Sequence, residues 1–290
     1  MTPFDCSSTV QVLSQMRSHL AQHLQITSRE RDPYLATAGY FFIREYLRRQ
    51  LSQWGTVTVE TVTEGQQTAQ NIVLALPGLR SLPPIVIGAH YDAVIGSPGA
   101  DDNASGLAVL LELARWFATH PPLHPVVLVA FDLEEYGLVG SRGMAAQWRS
   151  RRQPIRLMLS LEMLGYRDAN PGSQRYPARL ERLYGDRGDF VALIGNLKTL
   201  PDLLTLSRHL RRNVRCEWLP AGLRGKWIPD TRRSDHAPFW DAGYRAVMVT
   251  DTANLRNPNY HQLTDTMDTL DLDFLAAIAL GLANSIGQLR

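Results

Sequence analysis

The sequence predicts an α/β protein with a mixed, mostly parallel central sheet sandwiched between helices. Six short apolar runs, IVLAL, IVIGAH, VVLVAFD, LMLSLEM, DFVALIG and AVMVT, are bounded by Pro, Gly or charge, the pattern of strands buried on both faces. Helical stretches separate many of them: Asn103 to Thr119, about Gly137 to Arg149, Leu200 to Leu210, and Leu272 to about Leu289. Alternation of this kind gives a sheet with helices on both faces. Ligands then bind beyond the carboxyl ends of the strands.

Taken in order, the first segment reads as a helix. Asp32-Pro33 opens a second, carrying Leu35, Ala38, Phe42 and Tyr46 with Ile43, Leu47 and Leu51 beside them, a broad apolar helical face. Gly55 ends it, and TVTVETV alternates like a half-buried strand. The stretch from Tyr166 to Arg233 is less regular, with Pro171-Gly172, Gly185, Gly188, Pro220 and Gly222. It reads as an additional strand and helix plus an excursion over the site, inside a single catalytic domain spanning 1–290. Its basic residues, Arg208, Arg211, Arg212, Arg215, Arg224, Lys226, Arg232 and Arg233, read as a solvated face.

Composition narrows the function classes. A chain of 290 residues, 44% hydrophobic and 20% charged, is ordinary globular protein. A net charge of +2 points to neither nucleic acid nor an anionic membrane as partner. The N-terminus lacks a basic stretch followed by an apolar run, and no apolar stretch is long enough to span a bilayer, so a cytoplasmic location is the expectation. Cys6 and Cys216 are the only cysteines. They exclude a disulfide framework and a cysteine-rich zinc site, and both read as inert thiols.

Acidic residues and histidines stand where the apolar runs stop. IVIGA ends in His90-Tyr91-Asp92, VVLVAF in Asp132 with Glu134-Glu135 after it, and LMLSL in Glu162. GADDNASG, residues 99–106, runs into a helix; Ser234-Asp235-His236 and Tyr260-His261 follow near the far end. So many carboxylates at one sheet edge repel each other unless cations are present. Imidazole with carboxylate and no thiolate suits catalytic zinc, with manganese or cobalt as substitutes, whereas calcium prefers six to eight oxygens. Asp92, two residues beyond His90 on an extended chain, can orient its imidazole.

The blocks HYD, GADDNASG, DLEEYGLVGS, SLEM, SDHAPFWDAGY and YHQLTDTMDTLD occur in one order over roughly residues 70 to 290. That order resembles the co-catalytic zinc aminopeptidases and related carboxypeptidases of peptidase family M-28. The resemblance implies two zinc ions per chain and a peptide substrate. Asp101 would bridge the metals, His90 and Glu162 would complete one site, and Glu135 and His261 the other. Glu134 would be the general base, and Tyr260 would stabilise the transition-state oxyanion. Many members carry Asp where this chain has Glu162, so the metal bound there depends on a longer side chain. Asp92, Ser234 and Asp235 are expected to support the ligands, and His236 to be structural.

His19, His23, His120, His124 and His209 lack a supporting constellation and read as surface or loop residues. The leading function is an aminopeptidase. Its rivals are a carboxypeptidase or dipeptidase on the same metals, a glutaminyl cyclase with one zinc, and a peptide-binding relative without catalysis.

Overall fold

The computed structural model describes residues 6–177 and 180–290, with side chains from residue 9 onward, so the expectation for the Cys6 thiol lies outside the described residues. The helices are α1 (Cys6–Thr27), α2 (Thr37–Leu51), α3 (Gly106–Thr119), α4 (Val139–Ser150), α5 (Leu200–Leu210), α6 (His236–Asp241) and α7 (Leu272–Ile286). The strands are β1 (Val57–Glu64), β2 (Gln67–Leu76), β3 (Ile85–His90), β4 (Val126–Phe131), β5 (Leu157–Glu162), β6 (Val191–Asn196), β7 (Cys216–Ala221) and β8 (Ala246–Thr250). They form one sheet in the order β1-β2-β4-β3-β5-β8-β6-β7.

The expected mixed sheet is present. Strands β4, β3, β5 and β8 run parallel through the centre, and β6 and β7 are parallel to each other. The β1–β2, β2–β4 and β6–β8 pairs are antiparallel. Residues alternate between faces along a strand. Ile85, Ile87 and Ala89 of β3 therefore enter the larger core beside α1, α3, α5 and α7, while Val86 enters a second core with Met144 and Trp148 of α4 and Phe239 and Trp240 of α6. The four central strands finish on one edge, at His90, Phe131, Glu162 and Thr250.

The start of the second helix is corrected. Asp32-Pro33 does not open α2. The Asp32 carboxylate accepts the amides of Tyr34 and Leu35 at 2.9 and 2.6 Å, and Tyr136 donates its hydroxyl to the other oxygen. This closes a turn, and helix begins only at Thr37. The buried face is Tyr40, Ile43, Leu47 and Leu51, while Leu35 and Phe42 are exposed. Within the expected excursion, β6, α5 and β7 are regular and extend the sheet. Among the described residues of 166–233, those before β6 and after β7 form only short turns, and Tyr176, Thr231 and Arg233 from them line a pocket with Glu162.

Burial pushes the Cys216 thiol up to about 12, consistent with an inert residue. Among the described residues no helix is long and apolar enough to cross a membrane.

Candidate metal centre

His90 closes β3 and Glu162 closes β5, so both side chains stand at the carboxyl edge. Glu134 and Glu135 follow β4, Asp102 lies in the irregular turn that feeds α3, and His261 comes from the segment between β8 and α7. The His90 Nε2 lies 3.2 Å from Asp102 Oδ1 and 3.6 Å from Glu162 Oε1. The His261 Nε2 lies 3.1 Å from Asp102 Oδ2 and 3.4 Å from Glu135 Oε2. Asp102 thus turns one oxygen to each histidine, and each histidine has a glutamate of its own.

The structure differs from the sequence expectation at one residue: Asp102 occupies this middle position, and Asp101 does not. The Asp101 carboxylate points the other way, accepting the Gly165 amide at 2.8 Å and the Asn257 side-chain amide at 2.7 Å. The backbone leaves helical geometry at Asp102 (φ −103°, ψ 88°) directly after Asp101, and the two carboxylates find different partners. GADDNASG offers two acidic residues side by side, and spacing alone does not say which one faces the histidines.

The turn carrying Asp102 is held on both sides. Arg31, fully buried, donates to the carbonyls of Pro98 (2.8 Å), Gly99 (2.9 Å) and Asp102 (3.1 Å) and to those of Thr27, Arg29 and Tyr91. The Asp265 carboxylate accepts the amides of Asp101 and Asp102 at 2.9 and 3.1 Å. Gly99 has φ +57°, and a Cβ there would stand 2.2 Å from the Asp102 carbonyl oxygen and 2.9 Å from the Arg31 guanidinium; only glycine fits. Sequence reasoning passed over Arg31, which lies in no motif, and Asp265, although the latter stood inside YHQLTDTMDTLD.

Backbone strain marks the same places. Leu133, Met163 and His261 have φ of 52°, 47° and 59°, and such non-glycine conformations cost of order 1–3 kcal/mol each. Leu133 precedes the two glutamates, Met163 follows Glu162, and His261 is itself one of the converging side chains.

The atoms facing inward suit divalent cations. The Nε2 atoms of His90 and His261 and Oε1 of Glu135 are buried without a hydrogen-bond partner, a costly state for isolated polar atoms and the ordinary one for ligand atoms. Ligand atoms of His90, Asp102 and Glu135 lie within 4.8 Å of one another, as do those of His90, Glu134 and Glu162. Burial pushes Glu135 up to about 7 and Glu134 well above the carboxylate range, the neighbouring carboxylates adding to both. Burial works against a proton on His90, yet Glu134, Glu162, Asp102 and Asp92 carry it well above the usual imidazole range. Against burial, Asp102 and Glu135 raise His261 to about 9. The cluster attracts positive charge strongly, and its imidazole and carboxylate donors match zinc.

The remaining expected residues surround this cluster. Asp92 accepts the amides of Glu134 and Glu135 at 3.1 Å each, and its Oδ1 is 3.5 Å from His90 Nδ1. Ser234 donates to Glu162 at 2.7 Å. Asp235 is buried near His90, and burial pushes its carboxyl up to about 7. Tyr260 stacks on His261 with ring centroids 3.7 Å apart. A pocket beside Glu162 and Tyr260 has walls of Tyr176, Tyr184, Phe190 and Trp218. The Tyr184 hydroxyl is tied to the Trp218 carbonyl and that of Tyr176 to Gly185, so both rings turn apolar surface to the pocket.

The other histidines stay outside the site, but not all at the surface. His124 is buried against the Pro83 carbonyl, and His23 contacts the Tyr46 hydroxyl at 2.7 Å. His236 contacts the Thr231 carbonyl and meets Trp240 edge-on, a structural arrangement. The basic residues are also more engaged than a solvated face requires. Arg211 and Arg215 pair with Glu217, Arg232 with Asp241, and Arg233 reaches Tyr260.

Residues 71–196 and 225–286 match the model of Peptidase family M28. The chain belongs to that family. The uncharacterised protein YfbL of Escherichia coli is 38% identical over 249 residues, 82% of this chain and 76% of YfbL. A probable lipoprotein aminopeptidase of Mycobacterium tuberculosis, LpqL, is 29% identical over 252 residues; this covers 81% of this chain but only 48% of that relative. The LapA aminopeptidase of Legionella pneumophila shares the fold over 100% of this chain and 76% of its own, with TM-score 0.72 and 22% identity. A glutaminyl cyclase of Macrostomum lignano shares it over 99% and 95%, with TM-score 0.70 and 17% identity. The α/β architecture expected from the sequence is therefore that of an M28 metallopeptidase.

Proposed function

We propose that this chain, acting as one catalytic domain over 1–290, is a zinc aminopeptidase that binds two zinc ions. His90 and Glu162 would hold one ion, Glu135 and His261 the other, with Asp102 shared. The observation that carries this reading is the Asp102 carboxylate, which presents one oxygen to each of two partnerless histidine nitrogens. Charge agrees: two divalent ions give +4, the three carboxylates return −3, and one hydroxide completes neutrality. Zinc would supply Lewis acidity and a bound water with a pKa of roughly 7.

The protein's own groups do the rest. Glu134 stands beside His90 and Glu162 and is pushed up by burial, which suits a carboxylate that takes the water proton and returns it to the leaving amine. Glu162 lines the pocket. An N-terminal ammonium placed there would lie near Glu134, the carboxylate beside Glu162 that the metal charge does not offset, and that group would disfavour a C-terminal carboxylate. The pocket's aromatic walls favour a large apolar first residue. The relatives named as aminopeptidases support the same direction.

Metal analysis with paired substrates tests this reading. Two zinc ions per chain and hydrolysis of leucyl and phenylalanyl amides, but not their N-acetylated forms, is the expected result. Preference for blocked peptides would overturn the exopeptidase direction. One zinc per chain with cyclisation of N-terminal glutamine would replace the reading with a cyclase. Glu134→Gln should keep both metals and lower kcat by about 10²–10⁴-fold; full activity in that variant would remove Glu134 as the base.

A further inference from the structure

We propose that Arg233 is a positioning residue for Tyr260: it fixes the direction in which the phenol offers its proton. The proposal rests on the reading of Tyr260 as an oxyanion donor and extends it to a residue that the sequence assigned to a solvated face.

The geometry is specific. One arm of the Arg233 guanidinium donates to the Tyr260 hydroxyl oxygen at 2.9 Å, and the other donates to Asn254 Oδ1 at 3.0 Å. The guanidinium carbon is 5.6 Å from the Tyr260 ring centroid, and the His261 ring stacks on the Tyr260 ring with centroids 3.7 Å apart. The ring thus contacts both a cation and a proposed metal ligand, and Asn254 fixes the cation's place. Arg233 and Tyr260 both line the same pocket as Glu162.

A phenol has one proton to donate and lone pairs to accept with, while a guanidinium donates only. The bond from Arg233 therefore occupies an acceptor position on the oxygen and leaves the O–H proton to point elsewhere. A donor already aimed at the place where charge develops needs no reorganisation during the reaction, which is the source of its catalytic value. Without Arg233 the ring keeps its stacking partner but loses the contact that orients its hydroxyl.

The test is a double-mutant cycle on the zinc-loaded enzyme, with leucyl anilide and a leucyl dipeptide as substrates. Tyr260→Phe should lower kcat by about 10²-fold. Arg233→Met should lower kcat by about tenfold with little change in KM, and Arg233→Lys should recover part of that loss. In the Tyr260→Phe background, Arg233→Met should change kcat by less than about twofold.

Equal losses with and without the Tyr260 hydroxyl would overturn the proposal. So would a rise in KM confined to the dipeptide, which would make Arg233 a contact for the substrate carboxylate. If Tyr260→Phe has no effect, the oxyanion-donor reading itself fails. If Tyr260→Phe is impaired and Arg233→Met is not, only the Arg233 proposal fails.

Discussion

Asp101 and Asp102 are adjacent, both buried, and opposite in surroundings, so substitution separates their roles. Asp102→Asn keeps the volume but removes the charge that both histidine sites would share, and metal content should fall from two ions toward none. Asp101→Asn leaves the inward-facing set intact. It should retain both ions while losing stability, because Asp101 accepts from Gly165 and Asn257 on either side. Metal analysis after gel filtration, with a denaturant melt of each variant, distinguishes them; loss of metal in Asp101→Asn alone would reverse the assignment. His90 and Glu162 were legible because they close β3 and β5, and strand ends are visible as the place where an apolar run meets charge. Which of two neighbouring carboxylates turns inward was not. That depends on Asn257 and Gly165, more than sixty positions away in the chain. Arg31 was illegible for the same reason: its partners are backbone carbonyls, which leave no mark in the sequence.

At the scale of elements, α2 shows how a helical pattern can be correct and its boundary wrong. Ile43, Leu47 and Leu51 do face the core, whereas Leu35 belongs to the turn that Asp32 closes. Phe42 lies on the outer side under the Arg29 guanidinium, 4.5 Å from the ring centroid. Ile43→Ala should therefore cost about 2–5 kcal/mol of stability, and Leu35→Ala should stay within about 0.5 kcal/mol of wild type. Urea unfolding of both variants checks this, and a comparable loss at Leu35 would mean that the helix face is read incorrectly. The central strands were easier to place. Each is apolar on both sides, so no choice of face had to be made. β7 was harder, because the four middle residues of CEWLPA are all half-buried between a buried Cys216 and a buried Ala221, and the segment carries no clear period.

For the whole molecule, the metal centre is a charge problem spread over distant segments. Asp102, Glu134, Glu135 and Glu162 are brought to one edge by β3, β4, β5 and the loops beyond them, and in the metal-free protein protons offset part of their repulsion. Glu135 is raised to about 7 and His261 to about 9. Both folded values exceed their unfolded ones, so the stability these groups contribute is present at low pH. It is lost as pH rises through about 7 and about 9 respectively. Metal must displace the same protons, so its affinity rises over that interval. The increase in melting temperature caused by zinc should consequently be larger at pH 8 than at pH 6. Free zinc at 100 times its dissociation constant adds about 2.7 kcal/mol, which for a chain of this size is a shift of several degrees, roughly 2–4 °C per kcal/mol. Thermal melts in zinc-buffered solution at the two pH values measure it. An equal or larger shift at pH 6 would mean that the ligands are not the protonated groups the geometry brings together, because a site without protons to release gains nothing from their removal.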